Sequence, residues 1–142
     1  MEDLTPSDDT RGVGPALRLF LWSRAAIWVL ALVAVVGFDG ALNVRRGEWD
    51  SARLHELGVA IDVWARWDSD WFLRIAEDGY SWPSSTPAFF PLYPFLVTGL
   101  GWVLAGHNVL AGVVVSLTAG AGAFALLYRL AVVRLGEATA LR

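Results

Sequence analysis

Three apolar runs, set apart by polar chain, give the first outline. Residues 17–38 read "LRLFLWSRAAIWVLALVAVVGF", residues 88–105 read "AFFPLYPFLVTGLGWVLA" and residues 109–133 read "VLAGVVVSLTAGAGAFALLYRLAVV". A helix that crosses a bilayer needs about 20 largely apolar residues, so each run predicts a transmembrane helix. "GHN" at residues 106–108 is a tight break between the second and third. Pro91 and Pro94 fall in the first turns of the second helix, where a missing N–H matters least. Gly112, Gly120 and Gly122 lie in the third and suit close helix–helix approach in lipid.

The polar remainder divides unevenly. Residues 1–16 are polar and acidic and predict a disordered cytoplasmic tail; they lack the basic start and early apolar core of a cleaved signal. Residues 39–87 form a long polar connection with nine acids and five arginines. Unstructured connections of that length are uncommon, and both "SARLHELGVAIDVWARW" and "SDWFLRIAEDG" have helical spacing, with Gly79 placed to end the latter. Residues 134–142 form a C-terminal tail that reads as truncated. Arg11, Arg18 and Arg24 around the first run argue for a cytoplasmic N-terminus. That leaves the acidic loop outside and "GHN" inside. Arg129, Arg134 and Arg142 then fall on the outer side, against the positive-inside rule. Arg24, inside the first run, either snorkels to the near interface or meets a lipid phosphate or a neighbouring span. The fold expected is an all-α membrane protein: three transmembrane helices with an outer loop carrying amphipathic interfacial helices.

Composition narrows the classes. The chain of 142 residues is 56% hydrophobic and only 18% charged, with eight tryptophans, a residue that collects at membrane–water interfaces. The absence of cysteine excludes disulfides and thiolate metal sites. A net charge of −3 gives no reason to expect nucleic-acid binding. All fixed positive charge is arginine, which reads as a bias of the source.

Candidate chemistry sits in "RWDSDWFLRIAEDGY", residues 66–80. If residues 64–78 were one helix, Trp64, Trp67, Trp71 and Ile75 would share a face with Asp68 beside them, and Asp70 and Glu77 would lie opposite. That is the pattern of an interfacial helix with its aromatic side among headgroups. Asp70 is then explained as solvent-facing. Asp68 would cost free energy there unless paired or used, so it is either a helix N-cap, a reacting carboxylate, or both. "DSD" gives a weak signal for a divalent cation and otherwise no cofactor is indicated. His55 and His107 have no partner at ligand spacing.

"WARWDSDWFLRIAEDGY" followed by "AFFPLYPFLV" resembles the PIG-V-type mannosyltransferases of the GT-C superfamily, and "LLYRLAVVRLGEATALR" resembles that family's stretch after the third span. The likeness covers residues 17–142 and corresponds to the N-terminal part of such an enzyme, which has about three times as many spans. It implies inverting transfer of mannose from a polyprenyl- or dolichyl-phosphate donor to a hydroxyl acceptor on the outer or lumenal face of a membrane. The family's catalytic acid of the first outer loop matches Asp68. Expected substrate contacts are Asp70, whose match is weaker, Arg66 and Arg74 toward phosphate, and Trp67, Trp71 and Tyr80 toward sugar or prenyl chain. Each has a plainer reading: the arginines balance loop acids and the aromatics anchor the helix. Phe89, Phe90 and Tyr93 read as packing. Membrane lipid is a partner, and the Ala, Gly and Arg bias points to a bacterial plasma membrane. The competing reading is a non-catalytic three-span scaffold that binds a partner through its loop.

Overall fold

The computed structural model describes residues 12–42, 51–81 and 88–136, with the side chains of residues 39–42 left aside. The expectations for residues 1–11 and 137–142, and the adjoining parts of the 39–87 connection, lie outside the described residues. Everything regular among the described residues is helical. Helix α1 is Gly14–Leu42, a short 3₁₀ turn follows at Ala52–Leu54, then α2 at Val59–Asp62, α3 at Ser69–Asp78, α4 at Leu92–Val103 and α5 at Asn108–Leu135.

Two of these helices, α1 over Gly14–Phe38 and α5 over Asn108–Leu135, are long and apolar enough to cross a membrane. At 1.5 Å per residue the latter extends about 42 Å. Helix α4 is different. It has 12 residues and so extends only about 18 Å, against about 30 Å of hydrocarbon. The apolar run at 88–105 therefore yields a shorter helix than its length in sequence predicts. Residues 88–91 form an irregular lead-in, and the run closes through Ala105 and Gly106, both with positive φ, of 55° and 93°. Pro91 stands at the N-cap and Pro94 in the first turn, as the proline chemistry requires.

The chain divides into two compact units, one formed by Met1–Ile27 with Thr118–Arg142, the other by Trp28–Leu117. In the first, the early part of α1 runs antiparallel to the late part of α5. The rings of Phe20 and Phe124 meet with centroids 5.8 Å apart. A Cβ on Gly120 would come within 3.1 Å of the Phe20 ring, so glycine permits that approach, in line with the small-residue packing expected in lipid. Arg24 lays its guanidinium over Phe20, 5.3 Å from the ring centroid. It thus leans one turn back toward the start of α1, the direction in which a snorkelling cation reaches water.

In the second unit, a small core gathers Leu54, Ala65, Leu73, Val97, Val109 and Ala111. Leu54 and Val97 are fully buried; removing such a side chain from water contributes about 1.5–3 kcal/mol. Helix α3 packs between the 3₁₀ turn and α4. Thr98 of α4 donates its hydroxyl to the carbonyl of Ala76 at 2.9 Å, and the Phe72 ring meets Tyr93 edge-on at 5.0 Å. On its other side α3 is tied by charge: Arg53 bonds Glu77 and Asp78, each at 2.8 Å. Burial lowers the Arg53 pKa, but the Asp78 bond and the nearby Glu77, Asp78 and Asp70 charges outweigh it, leaving the guanidinium above its ordinary value.

Two carboxylates organise the polar segment. Asp62, 3% exposed, accepts the N–H groups of Leu57 at 3.1 Å and Gly58 at 2.8 Å, fixing the entry to α2. Glu56 accepts the N–H groups of Asn108 at 2.9 Å and Val109 at 3.0 Å. These are among the orphan donors of the first turn of α5, so Glu56 caps a helix more than fifty residues downstream. Trp28 of α1 donates its indole N–H to the carbonyl of Ala60 at 2.7 Å.

Candidate active site

Residues 64–78 are not one helix. Trp67 has φ of 50°, a left-handed conformation that is a genuine outlier for a bulky side chain. It costs on the order of 1–3 kcal/mol. Helix α3 starts only after this kink, at Ser69. Trp64 and Trp67 therefore do not continue the face that carries Trp71 and Ile75, and Ile75 is buried rather than turned to headgroups. The kink is held by short-range bonds. Ser69 N–H donates to the Arg66 carbonyl at 3.1 Å, Phe72 N–H to the Asp68 carbonyl at 3.2 Å, and Arg66 N–H to Ser69 Oγ at 3.1 Å.

Asp68 occupies the N-cap of α3, yet its side chain makes no capping hydrogen bond. The capping expectation for its carboxylate is not met, because its backbone is already helical, with φ −62° and ψ −10°, whereas a capping residue normally has extended dihedrals. Asp68 is exposed, and among the described residues its carboxylate has no hydrogen-bond or ion-pair partner. It opens onto a cleft of about 360 Å³ that Arg66, Trp67 and Ser69 also line. Phe72, Tyr93 and Ser116 complete the lining. The Tyr93 hydroxyl lies 3.2 Å from the Gly112 carbonyl and 3.1 Å from Ser116 Oγ. A Cβ on Gly112 would sit 3.0 Å from that hydroxyl, so any larger residue there would have to push the Tyr93 hydroxyl aside.

The remaining candidates from the sequence lie elsewhere on α3 and its surroundings. Asp70 gives one carboxylate oxygen to the Ser51 hydroxyl and the other to Arg74 at 3.3 Å. It is a partly buried structural acid, not the solvent-facing residue that periodicity suggested. Arg74 also stacks on Trp71, 5.0 Å from its ring, and Trp71 stacks on Phe89 at 5.9 Å. The Tyr80 hydroxyl donates to the Phe89 carbonyl at 2.8 Å. Among the described residues no group of three or more His, Asp or Glu side chains gathers as a metal site, and both Asp70 oxygens are taken, so "DSD" does not present paired carboxylates. The cleft thus joins Arg66, Trp67 and Asp68 and leaves Asp70, Trp71, Arg74 and Tyr80 outside its lining. Tyr93 and Ser116 are the additions: a polar pair 23 positions apart, brought together only by helix pairing, for which the sequence carries no local signal.

A cleft lined by an exposed carboxylate, an arginine, an indole and two hydroxyl side chains can take a proton from an alcohol and hold a polar, anionic substrate. Against known families, the model for mannosyltransferase (PIG-V) matches residues 52–141, a stretch that contains the whole cleft. Neither the curated proteins nor the solved structures compared with the chain gave a match.

Proposed function

Since the chain belongs to the PIG-V mannosyltransferase family, we propose that it transfers mannose from a polyprenyl-phosphate donor to a hydroxyl acceptor, with inversion, and that Asp68 is the general base. The family membership carries the reaction class: a membrane-associated glycosyltransferase with a sugar donor and an acceptor. The observation that carries the role of Asp68 is its exposed carboxylate, without a partner among the described residues, on a cleft that Arg66 also lines.

In the proposed step the acceptor hydroxyl gives its proton to an Asp68 oxygen as its own oxygen bonds the anomeric carbon. The bond from that carbon to the phosphate oxygen breaks on the opposite face, and its electron pair leaves with the polyprenyl phosphate. Inversion proceeds without a covalent sugar–enzyme intermediate, and of the acid and base carboxyls that inverting hydrolysis uses only the base is needed when phosphate leaves. A phosphate needs little protonation to leave, and positive charge nearby favours its departure; Arg66 supplies that charge. Trp67, 79% exposed and held in a costly backbone conformation, offers its indole face to the sugar or the prenyl chain. The strain is a reason to place function here, since such outliers cluster at active sites. The setting is a GT-C-like arrangement with the cleft on the outer face of a bacterial plasma membrane and a cytoplasmic N-terminus.

The test is transfer of labelled mannose from polyprenyl-phosphate mannose by membranes that express the protein. Asp68→Asn should lower turnover about 10²–10⁴-fold, the usual contribution of a general base, at unchanged protein level. Transfer from a nucleotide sugar but not from the lipid-linked sugar would overturn the donor assignment.

A further inference from the structure

We infer that α4 does not cross the bilayer but lies half-inserted, with both its ends on the face that carries the polar segment and its outward apolar stripe packed against lipid of that one leaflet. The chain then crosses the membrane twice, through α1 and α5, and residues 104–108 share a side with residues 51–81.

Four observations lead there. The first is length: α4 has 12 residues, about 18 Å, too short for a crossing, and tight turns or irregular chain bound it on both sides. The second is tethering. The start of α4 is held by the polar segment through the Tyr80–Phe89 bond at 2.8 Å and the edge-on contact of Phe72 with Phe89 at 5.1 Å. Its far end leads into Asn108 and Val109, whose N–H groups both bond Glu56 of the same polar segment, at 2.9 and 3.0 Å. A helix whose two ends are fastened to one water-facing segment cannot deliver those ends to opposite sides.

The third observation is the face of α4 that the protein leaves bare. Leu92, Phe95, Leu96, Trp102 and Val103 are all exposed and recur at helical spacing on one side, while Pro94, Val97 and Gly101 are buried on the other. Trp102 is 87% exposed and sits near the end of the helix, where an indole at headgroup level anchors it. Lipid is the occupant that fits, because the helix lies in the chain between two helices long and apolar enough to cross a membrane and stays tied to a polar segment.

The fourth is charge. With three crossings, the cytoplasmic side would hold only Arg11, Arg18 and Arg24, because "GHN" adds none. The other eight of the 11 arginines would face outward. With two crossings, Arg129, Arg134 and Arg142 rejoin the cytoplasmic group, giving six there. The remaining five lie in a translocated stretch of about seventy residues, long enough to escape the positive-inside rule, which weighs loops shorter than about 60 residues.

The chain has no cysteine, so single cysteines report topology directly. Leu57→Cys, His107→Cys and Leu135→Cys, each alone, are treated with a membrane-impermeant maleimide on intact cells and again after permeabilisation. The expected result is labelling of positions 57 and 107 from outside and of 135 only after permeabilisation. Labelling of 107 only after permeabilisation, or of 107 from both conditions in part, overturns the inference. The lipid contact has its own readout: a spin label at Phe95→Cys should collide with dissolved oxygen far more than with a water-soluble nickel chelate, at a depth within one leaflet. Shielding from both reagents would mean that protein, not lipid, covers the stripe. Neither readout uses catalysis, so each stands or falls apart from the proposed reaction.

Discussion

Glu56 offers the sharpest energetic test of how the polar segment is held. Its two carboxylate oxygens accept the N–H groups of Asn108 and Val109 at 2.9 and 3.0 Å, donors with no partner inside α5. Hydrogen bonds to a charged group contribute about 1.5–3 kcal/mol each. The Glu56 side chain is 18% exposed, so water partly replaces it and the low end applies. Glu56→Ala should therefore cost about 3 kcal/mol in local stability, and Glu56→Gln, which keeps one acceptor oxygen, about half of that. His107 adds little, since its nearest nitrogen is 3.9 Å away on an exposed ring. Amide hydrogen exchange on the peptide spanning the start of α5, in nanodiscs, reads this directly. About 3 kcal/mol corresponds to a roughly hundredfold faster exchange for Glu56→Ala and about tenfold for Glu56→Gln. Unchanged exchange at residues 108–109 in Glu56→Ala would refute the capping role and weaken the argument for the position of the "GHN" turn.

The other predictions are smaller. Asp62→Ala removes the acceptor of the Leu57 and Gly58 N–H groups; both residues are exposed, so water partly replaces it and the loss should cost about 1–2 kcal/mol; a thermal melt in detergent that matches the parent would contradict it. Tyr93→Phe keeps the ring contacts with Phe72 but removes the hydroxyl beside Ser116. It should lower stability by about 1 kcal/mol, the worth of one neutral hydrogen bond, read as a small drop in melting temperature; an unchanged melt would contradict it. Asp70→Asn loses the Arg74 pair and weakens the Ser51 bond. It should lower the amount of folded protein while turnover per folded molecule stays near that of the parent, in contrast to the Asp68 variants.

Much of this was legible in the sequence where it depends on local pattern. The two long apolar runs appear as α1 and α5, Gly79 ends α3 with φ of 77°, and "GHN" breaks the chain where expected. The motif around "WDSDW" pointed to the family that the comparison identifies. What was illegible depends on contacts between distant residues. An uninterrupted 3.6-residue period through 64–78 looks the same whether or not Trp67 adopts a left-handed φ, so the kink that frees Asp68 left no trace in the pattern. Hydrophobicity alone could not separate a spanning helix from a 12-residue one, because the residues just outside its ends, Phe89 and Ala105 among them, are themselves apolar. Glu56, Asp62, Tyr93 and Ser116 had no signature at all; each acquires its role from a partner that folding brings near.

The most direct test of the central claim is chemical rescue. Asp68→Ala should lose turnover by about 10²–10⁴-fold, and added formate, small enough to enter an open cleft of about 360 Å³, should restore part of it in a saturable way by standing in for the missing carboxylate. Mannosyl transfer by Asp68→Ala at close to the parental rate, without formate, would contradict the account.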